Sequence, residues 1–346
     1  MARRILWGSL ALAPLTIVLH YTANLGDTAD FILAAAALIP LAWLIGEATE
    51  HAAHHTGPGI GGFLNATFGN APELIIALLA VHEGLTEVVR GSLTGSVVGN
   101  LLLVLGFSLL FGGRGEVDRE SSLLSIGLVA LAVLMFLIPA IPGWSGDPER
   151  DLIVNVSIPV SIALLIVYVG ATWLSLRRHR RMHTSDDAPD MRAWTFRTAL
   201  IVLAVATVIT ALIAEIVVGS IETFAHKANL SEFFVAAVIV AIVGNAAEHG
   251  GAVVVAARGQ IKLAAEIALS SAAQVAVFLI PAVTLLALLI NPLALSFRPV
   301  EIGALAFGVL ITFALLVQGR SSRARGVLLI AAYVGVAVAF FVSGER

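Results

Sequence analysis

The sequence predicts an all-α polytopic membrane protein with eleven transmembrane helices: one extra N-terminal helix and two inverted five-helix repeats. The chain is 59% hydrophobic and 12% charged, with a mean hydropathy of +0.97, whereas an average soluble domain is about 25% charged. Apolar runs such as 152–176 and 300–317 reach the ~18–25 residues that cross ~30 Å of hydrocarbon as a helix. A Gly-Asn-Ala-x-Glu motif occurs once in each half of the chain, which indicates an internal repeat.

Gly, Pro and charged residues divide the chain into eleven apolar segments. Their predicted bounds are residues 5–21, 29–50, 60–82, 88–111, 121–141, 152–176, 198–224, 232–257, 263–290, 300–318 and 326–343. No A-x-A-like cleavage site follows the first segment, so we expect a retained helix rather than a signal peptide. Cysteine is absent, which excludes disulfides and thiolate metal sites. The net charge of −3 gives no indication of a nucleic-acid partner.

The distribution of basic residues predicts the orientation of these segments. If the N-terminus is cytoplasmic and all eleven segments cross, fifteen of the twenty Lys and Arg residues lie on the cytoplasmic side and five on the other. The positive-inside rule therefore favours a cytoplasmic N-terminus and an outside C-terminus. The predicted domains are an N-terminal helix (1–25), a first repeat (26–176), a cytoplasmic linker (177–197) and a second repeat (198–346). An odd number of spans in each repeat inverts the second relative to the first.

The repeated motif places one glutamate in each of two oppositely directed segments. Gly69-Asn70-Ala71-Pro72-Glu73 lies in the third segment, and Gly244-Asn245-Ala246-Ala247-Glu248 lies in the eighth. A charged side chain at the bilayer centre costs at least about 2.5–3.5 kcal/mol, so both glutamates are expected to face a cavity and have partners. Asn and Glu three residues apart share a helix face. Pro72 is expected to free a backbone carbonyl as a ligand.

Polar residues in the following segment of each half complete an oxygen-rich set. They are Ser96 and Asn100 in the first half, and Ser270, Ser271 and Gln274 in the second. Together with Asn70, Asn245 and the two glutamates they suit a hard cation, and two carboxylates match a divalent ion such as Ca²⁺. The same carboxylates can bind protons when no cation is present. The sequence therefore predicts coupled Ca²⁺ and proton binding by Glu73 and Glu248, with Ca²⁺ as transported substrate and no cofactor.

Other titratable residues are candidates for a proton relay or a vestibule. They are His249, Glu47, Glu50, Glu215 and Glu222. His249 follows the second glutamate and has an unperturbed pKa of about 6.5, which suits proton transfer. The alternatives are a packing histidine and solvated carboxylates at the membrane interface.

Four stretches closely resemble the repeats of calcium/proton exchangers, the CAX family of the cation/calcium-exchanger superfamily. They are GGFLNATFGNAPELIIAL, SLTGSVVGNLLLVLG, FVAAVIVAIVGNAAEHGGAVVVA and SSAAQVAVFLIP. The resemblance implies a secondary transporter, not an enzyme, that exports cytoplasmic Ca²⁺ in exchange for H⁺. It also implies that Glu73 and Glu248 are the shared cation and proton carboxylates, with the Asn, Ser and Gln residues above as auxiliary ligands. Helices two and seven would slide past the core to switch access.

The linker departs from the pattern of some family members, which have a strongly acidic helix between the halves. Here it holds five arginines and three aspartates, so regulation by Ca²⁺ at the linker is not expected. Short loops favour a prokaryotic inner membrane. The expected partners are Ca²⁺, H⁺ and the lipid bilayer, without nucleic acid, and homo-oligomerisation is open.

Two other functions compete with this interpretation. A related Na⁺/Ca²⁺ exchanger, or a broader monovalent and divalent cation–proton antiporter, would use similar repeats, but Gly-Asn-Ala here replaces the Ser/Thr-rich pattern that supplies Na⁺ ligands. The remote alternative is an intramembrane zinc hydrolase using Glu50, His51 and His55, because two histidines at this spacing share a helix face. A solvated helix end is the better account of that segment.

Overall fold

The computed structural model describes residues 2–23, 25–182 and 194–344, which are nearly all helical. The α-helices of these ranges are α1 (Ala2–Ser9), α2 (Leu12–Ala23), α3 (Asp27–Phe68), α4 (Ala71–His82), α5 (Thr86–Val98), α6 (Leu105–Gly112), α7 (Arg119–Gly143), α8 (Asp151–Met182), α9 (Phe196–Ala228), α10 (Glu232–Phe234), α11 (Ala241–Gly244), α12 (Ala246–Ala257), α13 (Ile261–Gln274), α14 (Ile280–Ala287), α15 (Pro299–Leu316) and α16 (Arg323–Ser343). Three π-helical segments are Gly99–Val104, Val235–Val240 and Val275–Leu279.

Nine helical runs within the described ranges are long and apolar enough to cross a membrane. Three of them, 5–23, 86–112 and 261–287, each join two of the α-helices named above. The two segments that carry the repeated motif do not pass this test as single straight helices. The third is the short apolar helix α4, of 12 residues. The eighth is a pair of helices, 232–244 and 248–257, bent by 57° at the motif, which would make a tenth span. The structure thus supports a polytopic helical membrane protein.

Several predicted helix bounds are wrong. The first segment has a break between α1 and α2, although residues 5–23 together qualify as one candidate span, close to the predicted 5–21. The break expected between the second and third segments at 51–59 is helical, and α3 continues to Phe68. Along much of its length α3 packs against α9. The contact reaches His55, whose ring meets Phe196 at the first residue of α9, so packing holds α3 helical up to Gly57-Pro58-Gly59, a pattern that indicates a turn in isolation.

A small antiparallel sheet departs from the predicted all-α class. Its two strands, β1 (Gly115–Glu116) and β2 (Arg320–Ser321), pair residue 115 with 321 and residue 116 with 320. The sheet joins the loop before α7 to the loop before α16. Of the predicted linker, residues 177–182 extend α8, whereas residues 183–193 lie outside the described ranges.

Two glycines let α5 approach the eighth segment very closely. A Cβ atom added at Gly91 would stand 2.9 Å from the carbonyl oxygen of Phe233, and one at Gly95 only 2.0 Å from that of Ala237. Small residues four positions apart allow such backbone contact between membrane helices. The contact brings the polar end of α5 beside the motif at Gly244–Asn245.

Candidate cation-binding site

Both motifs lie where a helix begins. Asn70 (φ −98°, ψ 17°) precedes α4, and Asn245 (φ −89°, ψ 6°) precedes α12. These bridge-region dihedrals interrupt the helical backbone. Glu73 and Glu248 are each the third residue of a 12-residue helix. Free amide groups and the helix dipole stabilise negative charge in a first turn.

Pro72 does not cause the interruption in the third segment. It lies at the second position of α4, where the missing amide hydrogen has no intrahelical partner to lose. The second motif is interrupted at the same place although Ala247 replaces the proline. The expectation that Pro72 frees a carbonyl within a continuous helix is therefore wrong, and the Gly-Asn pair marks the break in both motifs.

The asparagine side chains bridge the two halves of the chain instead of capping their own helices. Asn245 Nδ2 donates to Ser96 Oγ at 2.7 Å. Asn100 Nδ2 donates to Ser271 Oγ at 3.0 Å, and Asn70 Nδ2 donates to Gln274 Oε1 at 3.4 Å. Each bond joins a residue of the first half to one of the second, so the polar set forms one cluster.

The two glutamates occupy different surroundings within this cluster. Ser271 Oγ donates a short hydrogen bond to Glu248 Oε2. Glu73 is 8% exposed and lies against the backbone of the opposite motif, because a Cβ atom at Gly244 would stand 3.6 Å from Glu73 Oε1. Because Gly244 lies four residues before Glu248 in the same motif, this contact brings both glutamates into one cluster.

Three buried side-chain oxygens of this cluster accept no hydrogen bond from any residue that the structure describes. They are Glu73 Oε2, Asn100 Oδ1 and Asn245 Oδ1. Buried acceptors are nearly always satisfied, so such a group calls for an explanation. Oxygen atoms from carboxylates and amides are the ligands that Ca²⁺ prefers. The arrangement can therefore hold a hard cation.

Not every predicted residue joins the cluster through a described bond. Ser270 Oγ donates to the carbonyl of Ile267 in its own helix, unlike Ser271. His249 follows Glu248 and is half-buried, and its Nε2 has no hydrogen-bond partner among the described residues.

The predicted vestibule carboxylates lie apart from one another. Glu215 lines a cavity of about 280 Å³, and Glu222 lines another of about 870 Å³. Glu47 and Glu50 line neither of these two cavities. Glu47 Oε1 lies 3.7 Å from His51 Nε2 on α3, and Glu50 is exposed.

Carboxylates outside the predicted set also line the cavity beside Glu215. Asp27, Asp30 and Glu83 line it together with His20. His20 Nδ1 lies 2.9 Å from Asp30 Oδ2. The start of α3 therefore lies near the end of α4. The predicted directions of these segments could have identified the group, since they bring these helix ends to the same side of the membrane.

The zinc-site alternative fails on the contacts of its histidines. His51 stacks on Trp194 with ring centroids 4.6 Å apart, and His55 Nε2 lies 2.8 Å from the Trp194 carbonyl oxygen. Across the described ranges, no group of three or more His, Asp and Glu side chains is placed to hold a metal ion. The two histidines hold the start of the second half against α3 instead.

Comparison with known proteins assigns the chain to a family. The family model described as sodium/calcium exchanger protein matches residues 28–177 and 198–342. The chain belongs to this exchanger family. The family resemblance predicted from the motifs is thereby confirmed, and this exchanger is an integral membrane protein.

Relatives of the exchanger cover nearly its whole length. It is 39% identical to the Ca(2+)/H(+) antiporter ChaA of Bacillus subtilis, over 88% of this chain and 89% of the relative. It is 36% identical to a Ca(2+)/H(+) antiporter of Synechocystis, over 96% and 95% of the two chains. The solved structure of native YfkE is similar with a TM-score of 0.84 and 34% identity, over 97% of this chain and 99% of that one.

Proposed function

We propose that this exchanger is a secondary active antiporter that exports cytoplasmic Ca²⁺ in exchange for H⁺. The observation that carries the proposal is the pair of glutamates at the starts of α4 and α12, beside buried oxygens that accept no hydrogen bond from the described residues. The names of relatives that match across the chain support the same pair of ions. No enzymatic step is required, because both substrates bind and leave unchanged.

The chemistry of exchange follows from the repulsion between the two carboxylates. Glu73 and Glu248 belong to one cluster in which Glu73, Asn70 and Asn245 are buried, so two bare negative charges there would be unfavourable. Either one Ca²⁺ or protons on the carboxylates remove this repulsion, and the two states exclude each other. Asn100 Oδ1 and Asn245 Oδ1 are available as further Ca²⁺ ligands but cannot hold a proton.

The proposed architecture has eleven spans in two inverted repeats. The nine long helices, the bent pair and α4 together account for eleven segments. Asn245, Glu248 and Ser271 follow Asn70, Glu73 and Ser96 at one constant interval along the chain, which supports the repeat. An N-terminus in the cytoplasm, a C-terminus outside and a prokaryotic inner membrane complete the proposal, with the repeats at 26–176 and 198–346. Alternating access would come from α3 and α9 moving against the helices that hold the site.

Ca²⁺ uptake into inside-out vesicles tests the choice of counter-ion. An imposed pH gradient, acidic inside, is expected to drive ⁴⁵Ca²⁺ uptake equally with and without Na⁺. Vesicles prepared without the protein give the background. Uptake that requires a Na⁺ gradient and does not respond to the pH gradient would instead establish Na⁺/Ca²⁺ exchange. Competition by other cations would show which of them the protein also transports.

His249 offers a test of proton access to the site. We expect His249→Ala to retain Ca²⁺ binding but to shift the pH dependence of uptake, because its Nε2 has no described partner and adjoins Glu248. Uptake measured across a pH series checks this, with the exposed His82→Ala as the matched control. An unchanged pH profile, or loss of the folded protein, would identify His249 as a packing residue.

A further inference from the structure

A group of five buried or half-buried charged residues lies at the N-terminal end of α5, away from the proposed cation site. We call Glu87, Arg90, Glu149, Arg298 and Glu301 the α5 charged cluster. Arg90 and Arg298 are two of the five basic residues that the predicted topology assigns to the non-cytoplasmic side. In the structure they are only 2% and 6% exposed.

Arg90 joins three separate parts of the chain. Its guanidinium donates to Glu149 in the loop after α7, to Ser296 Oγ at 3.0 Å before α15, and to Glu87 Oε1 at 3.0 Å in its own helix. Glu149 Oε2 in turn accepts from the backbone amide of Ala294 at 2.8 Å. These bonds fix the end of α5 against both halves.

Arg298 extends the cluster to the eighth segment and α15. Its guanidinium lies 3.8 Å from the ring centre of Phe233 and 3.5 Å from Glu87 Oε2. Glu301 is fully buried, accepts from the Arg298 backbone amide at 2.6 Å and accepts from Thr94 Oγ1 at 3.3 Å. Thr94 lies on α5, two residues before Ser96.

Such a buried ionic group is a poor source of stability, because desolvating the charges offsets most of their attraction. Its best-attested use is to specify register between packed elements. The axial register between α5 and the eighth segment has to be fixed, because the two pack through Gly91 and Gly95 against Phe233 and Ala237. Small apolar surfaces of this kind have few side chains to fix one axial position.

The corresponding end of α13 is built differently. Ser271 on α13 is the counterpart of Ser96, yet the ion pair at the start of α13 joins Lys262 Nζ to Asp118 at 2.9 Å with side chains 63% and 34% exposed. Exposed pairs of this type contribute little. The α5 charged cluster thus has no buried counterpart among the described residues at the start of α13.

We propose that the α5 charged cluster sets the axial position of α5, so that Ser96 and Asn100 stand at the depth of Glu73 and Glu248. Arg90 is then a positioning residue for Ca²⁺ binding that does not touch the ion. The proposal rests on the proposed function for its Ca²⁺ site. It requires that disturbing Arg90 alter the affinity for Ca²⁺, and not only the stability of the fold.

Arg90→Gln is the direct test. We expect the apparent KM for Ca²⁺ in proton-driven uptake to rise about 10- to 100-fold, since displacement of a site by about 1 Å can cost that much. Arg90→Lys, which keeps the charge but loses the forked geometry, should recover part of the affinity. The matched control is Arg150→Gln, because the described hydrogen bonds of Arg150 go to nearby carbonyls, those of Pro142, Ser145 and Asp147.

Thr94→Val provides a second test with little risk to folding. It preserves side-chain shape and removes only the described bond to Glu301, so KM should rise about three- to tenfold. Lower yield or thermal stability with an unchanged KM in both variants would overturn the proposal. If Arg90→Gln does not accumulate, the KM of Thr94→Val decides. Absence of uptake by the unaltered protein would instead overturn the proposed function.

Discussion

Glu73→Gln is expected to abolish Ca²⁺ uptake, with a loss of at least about 30-fold, while leaving the protein folded. Loss of one buried charge from a pair costs roughly 2–5 kcal/mol, and each 1.4 kcal/mol is tenfold in affinity. The fold should survive, because Glu73 Oε2 has no described hydrogen-bond partner and the substitution removes one of the two negative charges of the cluster. Vesicle uptake and thermal unfolding in detergent measure the two effects.

The same variant distinguishes loss of binding from loss of movement. A protein that binds Ca²⁺ only when folded gains about 2.7 kcal/mol at 100 times its Kd, so Ca²⁺ should raise the Tm of the unaltered exchanger. We expect Glu73→Gln to lose this Ca²⁺-dependent shift, whereas Glu116→Gln, an exposed glutamate on β1, should keep it. A normal Ca²⁺-dependent shift in Glu73→Gln would show that Glu73 is not a ligand.

The sequence predicts the helical membrane class because composition and hydropathy average over whole segments. It does not predict the interruptions at Asn70 and Asn245, which lie inside windows that are apolar on average. A local signal was nevertheless present, since asparagine followed three residues later by glutamate before an apolar run is typical of a helix start. Interpreted in this way, the motif predicts two helix N-termini instead of two continuous helices.

The set of candidate site residues could be chosen from the sequence, but their pairing could not. Constant spacing selects Ser96 and Ser271 as counterparts, and each accepts a hydrogen bond from an asparagine. Yet the donor to Ser96 is the motif residue Asn245, whereas the donor to Ser271 is Asn100 of the π-helical segment after α5. Symmetry in the sequence therefore does not extend to the hydrogen bonds. Likewise, the sequence shows Glu87 three residues before Arg90 but not its other partner Glu149, which is 59 residues away along the chain.

Glu248→Gln is expected to abolish exchange although it keeps the local hydrogen bond. The glutamine carbonyl can still accept the hydrogen bond from Ser271, so the polar cluster and the fold should persist. What is lost is the negative charge that binds Ca²⁺ and, in the other state, a proton. A neutral amide at 248 imitates a permanently protonated carboxylate, and uptake should fall by at least about 30-fold.

Proton release on Ca²⁺ addition in weakly buffered detergent solution separates a shared carboxylate from a simple ligand. The unaltered exchanger should release protons when Ca²⁺ displaces them, and Glu248→Gln should release none. Ser271→Ala is the informative companion, because it leaves both carboxylates and removes one donor to Glu248. It should still release protons but require about 10-fold more Ca²⁺. If Glu248→Gln released protons as the unaltered exchanger does, the protons would come from other groups, and Ca²⁺ and H⁺ could not be competing for this carboxylate.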